Sequence, residues 1–166
     1  MSKSDPKQEA KISISVSPTG FRRRMLFNRF FLQPIDAHIL AYFGLVDDSG
    51  FLRDQFVIGI SKQTIEDSKA SLTSFLTRIG SPTTTQPKWV PPSIPTTTEL
   101  ANVINAGVST DGEILFSSFA IGPAISKTKE SQKPIDIDPI AMLRCDPELL
   151  KLFIVELYTS EKIEKK

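Results

Sequence analysis

An α+β protein made of two related strand–strand–helix units, their antiparallel sheet covered by helices, is the fold class this chain predicts. Three observations carry that prediction. A strand–connection–strand pattern occurs twice, each occurrence is followed by a capped amphipathic segment of helical period, and a spacer rich in proline and threonine separates the two. The first occurrence runs AHILAYFGLV, the turn DDSG, FLRDQFVIGIS and then KQTIEDSKASLTSFLTRI. The second runs EILFSSFAIGPAI, a polar connection, IDIDPIAMLRC and then DPELLKLFIVELYTSEK.

The composition bounds the reading. With 166 residues, 40% of them hydrophobic and 23% charged, the chain can bury a sizeable core, which excludes a disordered protein. Twenty Lys and Arg against 19 Asp and Glu leave a net charge of +1, so no global field draws in nucleic acid or an anionic membrane. The single Cys145 can form neither an internal disulfide nor a thiolate cluster, which fits a reducing cytoplasm. Residues 1–10 read as a mobile polar tail, and no run reaches the roughly 18 apolar residues of a membrane span, so no membrane partner is expected.

Residues 11–80 form the first unit. KISISV alternates Ile12, Ile14 and Val16 with Lys11, Ser13 and Ser15, the period of an edge strand with one buried face. After the turn SPTG, FRRRMLFNRFFLQP fits one strand ending near Pro34, with Phe21, Met25, Phe27 and Phe31 on one face; Leu26, Phe27, Phe30 and Phe31 also have helical spacing. From Ala37 to Val46 both faces are apolar, Asp47, Asp48, Ser49 and Gly50 make a turn, and Phe51 to Ile60 runs back, giving a hairpin in the interior of a sheet. Ser61 then caps a helix whose inner side carries Ile65, Leu72, Phe75, Leu76 and Ile79, ending at Gly80.

Residues 81–98 hold Pro82, Pro87, Pro91, Pro92 and Pro95 among threonines and cannot form helix or interior strand. They read as a stiff linker across the surface with Trp89 seated in a groove, in preference to a ligand for a proline-recognising domain. The second unit spans 99–161 and is followed by a basic tail, 162–166. It opens on a short helix with Leu100, Val103 and Ile104 inward and Gly107 at its end. Aligning Phe43 with Phe119 matches the first strands, and aligning Ser61 with Asp146 matches the caps; the connection KTKESQKP absorbs the difference in offset. Asp146, Pro147 and Glu148 make a strong helix start, and the helix beyond is apolar over a wide arc.

The order KISISVSPTGF, FGLVDDSG, FVIGIS and a capped amphipathic helix ending at Gly80 resembles an uncharacterised family of small bacterial ββα domains, over about the first half of the chain. The resemblance implies a ββα fold there and no catalytic residue.

Few residues suggest chemistry. In FRRRMLFNRFF, Arg22, Arg23, Arg24 and Arg29 interleave with aromatics including Phe27 and Phe30, a combination that pairs phosphates and stacks bases in single-stranded nucleic-acid sites. Against that stands a core role for the rings with solvated arginines between them, favoured by the near-zero net charge. His38 lies in an apolar strand, Cys145 precedes a helix cap, and Asp47 with Asp48 or Asp136 with Asp138 match no calcium-loop spacing. No phosphate loop, nucleophile elbow or HExxH is present, so no catalytic residue, metal or cofactor is expected. The expected function is a non-catalytic protein-interaction module, an adaptor or subunit that binds itself or another protein through a sheet edge or the last helix. Phe153, Ile154 and Tyr158 of that helix, with Trp89, are the candidate contacts. The alternative is a nucleic-acid-binding protein using residues 21–31.

Overall fold

The structure, a computed structural model, describes residues 21–92, 98–108, 115–121 and 138–162. The strand read in KISISV, the connection KTKESQKP and the tail 1–10 lie outside the described residues, as does the basic tail apart from Lys162. The chain runs β1 (Arg23–Leu26), β2 (Arg29–Ile35), β3 (His38–Val46), β4 (Leu52–Ser61), α1 (Lys62–Ile79), β5 (Leu100–Ala101), β6 (Val103–Val108), β7 (Leu115–Ile121), β8 (Asp138–Arg144) and α2 (Pro147–Lys162).

The fold is α+β. Its strands form two four-stranded sheets, ordered β2-β3-β4-β5 and β1-β8-β7-β6. Each sheet is mixed, which corrects the expectation of purely antiparallel sheet: β1 runs parallel to β8 and β5 parallel to β4. These two edge strands reach their neighbours from distant parts of the chain, as parallel pairing requires, while the hairpin neighbours are antiparallel.

The segment read as one strand through Phe27 is two strands in two sheets. Phe27 N donates to Arg144 O of β8 at 2.9 Å, and the very next amide, Asn28 N, donates to Gly44 O of β3 at 3.0 Å. Asn28 secures the change of sheet with its side chain, Nδ2 donating to Val46 O at 2.7 Å and Oδ1 accepting from Val46 N at 2.8 Å. The helix expected over Leu100 to Gly107 is also replaced by strands, β5 and β6. Val103, Ile104 and Val108 are β-branched and lose rotamer freedom in a helix, and β4 and β7 supply ladders that a short isolated helix has no means to match.

The β3–β4 hairpin pairs His38 with Ser61 and Phe43 with Phe56, slipping register between Leu45 and Val46. Its turn is held by Asp47, whose Oδ1 accepts from Ser49 N at 3.0 Å and Phe51 N at 2.9 Å, with Gly50 at a φ of 87°. Ser61 Oγ caps α1 by accepting from Thr64 N at 3.0 Å, and Gly80 N donates to Leu76 O at 2.8 Å at its end. Asp146 Oδ1 caps α2 by accepting from Glu148 N at 2.8 Å.

One core draws on both sheets and both helices: Met25 from β1, Phe43 from β3, Leu72 and Phe75 from α1, Ile104 from β6, Leu143 from β8 and Phe153 from α2. Each such side chain contributes about 1.5–3 kcal/mol on burial. The antiparallel set β2-β3-β4 has the same order of pairing as β6-β7-β8, and each set takes its parallel edge strand from the other half of the chain. Phe43 pairs with Phe56 and Phe119 with Ala141, two partners equally far ahead of the caps Ser61 and Asp146. The helices cross over in the same sense, α1 packing on β6 and α2 on β2.

Candidate functional site

The basic segment is dispersed by the change of sheet. Arg22 Nη2 lies 3.0 Å from Glu99 Oε1, Arg23 is paired with Asp54, and Arg29 Nη1 donates to Asn28 O at 2.8 Å. Arg24 is exposed on β1. Phe27 and Phe30 are 2% and 1% exposed; Phe27 meets Phe43 edge to face at 4.9 Å between centroids, and Phe30 meets Phe153 at 5.5 Å. Both rings therefore belong to the core, as the favoured sequence reading had it, and the alternative of Phe27 and Phe30 as stacking platforms is corrected, because no ring face remains open to a base.

The expected protein contacts of α2 are corrected in the same way. Phe153 and Ile154 are each 1% exposed, and Phe153 lies between Phe30 and Phe43, 5.2 Å from the latter. The apolar arc of this helix is used up by its own core. Tyr158 is half-buried, with its hydroxyl donating to Lys69 O at 3.3 Å. Trp89 is half-buried, with its indole against Gly44, and forms one wall of a surface groove.

That groove, about 600 Å³, lies between β2, the linker and the last turns of α2, and is lined by Phe31, Leu32, Trp89, Val90 and Glu156 among others. Its apolar walls push the Glu156 carboxyl above the ordinary range by desolvation. The linker does more than pass over the surface here: Gln86 Oε1 accepts from Phe30 N at 3.3 Å and its Nε2 donates to Phe30 O at 3.1 Å. A side-chain amide thus bonds the outward backbone groups of an edge strand, as a neighbouring strand would.

No catalytic constellation assembles among the described residues. Burial, with a smaller push from Asp146, raises the Cys145 thiol well above its ordinary value, the opposite of what a nucleophile needs. His38 lies at the start of β3, paired with Ser61. Asp47 is engaged by its own turn and by Arg53, 2.6 Å from Oδ2; Asp136 lies outside the described residues. Among the described residues no group of three or more His, Cys, Asp or Glu could hold a metal ion, and no helix is long and apolar enough to cross a membrane.

The sheet edges differ sharply. β1 carries Arg23 and Arg24, β2 carries Pro34 and the Gln86 clamp, and β5 is two residues long. All three are blunted by charge, proline, a cap or shortness, the devices that keep edges from pairing with other chains. β6, VINAGV, has none of them: it is six residues long, uncharged and free of proline, and among the described residues no further strand lies beside it. Reading the sequence missed this edge because Leu100, Val103 and Ile104 are spaced as in a helix; the β-branched residues Val103, Ile104 and Val108 were the available signal for a strand.

Comparison of the chain with protein-family models, curated proteins and solved structures finds no match.

Proposed function

We propose that this protein is a non-catalytic protein-interaction module, an adaptor or subunit of a larger assembly, that engages its partner by strand addition at β6. The edge of β6, which has no neighbour among the described residues, carries the reading. Alternate residues of β6 turn their N–H and C=O groups away from β7, and an extended segment laid beside them gains main-chain hydrogen bonds for affinity and side-chain contacts for selectivity. The sequence suggested a sheet edge or the last helix as the contact, and the burial of Phe153 and Ile154 favours an edge. With Phe27 and Phe30 in the core and two of the four arginines paired with acids, no observation favours the nucleic-acid alternative.

Panning a displayed library of peptides on the purified protein tests the reading. Enriched peptides that slow amide exchange in β6 are the expected result. Peptides that bind while protecting another surface, with β6 exchange unchanged, would sink it.

A further inference from the structure

We infer that the partner seated on β6 is a second copy of this chain, paired antiparallel so that the two β1-β8-β7-β6 sheets become one continuous sheet. The inference rests on the edge reading above and names its occupant. Its first support is the strand itself. The two sides of β6 differ: Ile104 and Ala106 pack in the core, while Asn105 is exposed on the opposite face. Antiparallel partners share a face, so a two-fold axis at this edge passes beside one residue rather than between two. Centred on Asn105, it sets Ile104 opposite Ala106 and Val103 opposite Gly107 of the second copy, large against small in both directions, and Asn105 against Asn105, an uncharged amide pair. No like charges meet anywhere along the strand.

The second support is the treatment of the matching edge. Phe30 faces Phe43 across β2 and β3, and Ile104 faces Phe119 across β6 and β7, the same place in the two pairing patterns. At Phe30 the chain's own Gln86 bonds both the N–H and the C=O that point away from the sheet. Among the described residues no side chain does this at Ile104, and the self-pairing supplies it from the backbone of the second copy. The other edges disfavour a copy of themselves: β1 would oppose Arg23 and Arg24 to their own kind, Pro34 removes a donor from β2, and β5 is too short for a ladder. Because α1 packs on β6, both copies of α1 flank the junction and widen it beyond the two strands.

Light scattering and sedimentation of the full chain from about 1 µM to about 1 mM provide the test, since that span brackets weak and moderate dimers. A monomer–dimer equilibrium is expected, with β6 amides more slowly exchanging as concentration rises. Asn105→Lys, an exposed substitution that leaves the circular dichroism spectrum unchanged, sets lysine against lysine and weakens the dimer by about tenfold or more. Asn105→Glu alone does the same, and mixing the Lys and Glu variants restores a heterodimer. A chain monomeric over the whole range overturns self-pairing while leaving strand addition to be decided by the peptide experiment. A dimer indifferent to Asn105→Lys overturns its placement on β6.

Discussion

Trp89 closes on Gly44 so tightly that a Cβ built on the glycine lies 2.7 Å from the indole Cζ2 and 2.9 Å from Cη2. This contact is what fixes the linker to the outer face of β3. Gly44→Ala forces the indole off the sheet, because the aromatic end of a surface linker gives way more readily than the backbone of an interior strand. Trp89 is the only tryptophan, so the expected result is a red shift of its fluorescence with far-ultraviolet dichroism unchanged. The accompanying loss of stability is about 1–3 kcal/mol, the usual range for a methylene too many.

Glu148 ties the linker to the start of α2. Its Oε2 accepts from Thr83 N at 2.8 Å and from the Thr83 hydroxyl at 3.1 Å, and its Oε1 accepts from Lys151 Nζ at 2.9 Å. The Thr83 amide and Lys151 hold the carboxyl down to about 2 against an ordinary 4.5. A carboxyl depressed in the folded state contributes stability that is present in full above the unfolded value and lost as pH falls through the folded one. Thermal melts should therefore show a decline between pH 4.5 and about 2 that is shallower in Glu148→Gln. Equal slopes in the two proteins would show that Thr83 and Lys151 do not depress this carboxyl.

Phe153 is a core residue touching Phe30 and Phe43, whereas the Tyr158 hydroxyl makes an exposed hydrogen bond to Lys69 O at 3.3 Å. Phe153→Ala should cost about 3–5 kcal/mol in denaturant unfolding, the range for an aromatic lost from a core. Tyr158→Phe should cost no more than about 1.5 kcal/mol, the net worth of one hydrogen bond. A Phe153→Ala protein as stable as the parent would place this ring at the surface after all.

β1 pairs with β8 and β5 with β4, so each half of the chain completes the other's sheet. Fragments divided after Ser93 are expected to lack cooperative unfolding when made separately, and to recover it when co-expressed. A first fragment with its own sharp melting transition would contradict the dependence.

The parts legible in the sequence are those that local chemistry decides. The hairpin from His38 to Ser61 follows from two apolar runs around DDSG, and the caps Ser61 and Asp146 follow from short polar residues set before amphipathic runs. What stayed hidden depends on partners far along the chain. Nothing near Phe27 announces that its amide belongs to Arg144 and that of Asn28 to Gly44. Phe153 and Ile154 sit on a helix apolar over so wide an arc that sequence alone leaves open whether the surplus meets a partner or the molecule itself; Phe30 and Phe43 decide it. β6 was hidden because a few residues fit a helix and a strand equally well until β7 supplies the ladder.

The exchange of edge strands also dictates an order of events during synthesis. Arg23 pairs with Ala141 and Leu26 with Arg144, so β1 has left the ribosome long before the strand it needs is translated. The β3–β4 hairpin and α1 involve only neighbouring sequence and can form while the chain is still emerging, but the core closes only once β8 and the α2 residues that follow it are out of the exit tunnel. Until then the arginines of β1 and the Gln86 clamp on β2 stand guard over edges that a nascent chain would otherwise offer to its neighbours.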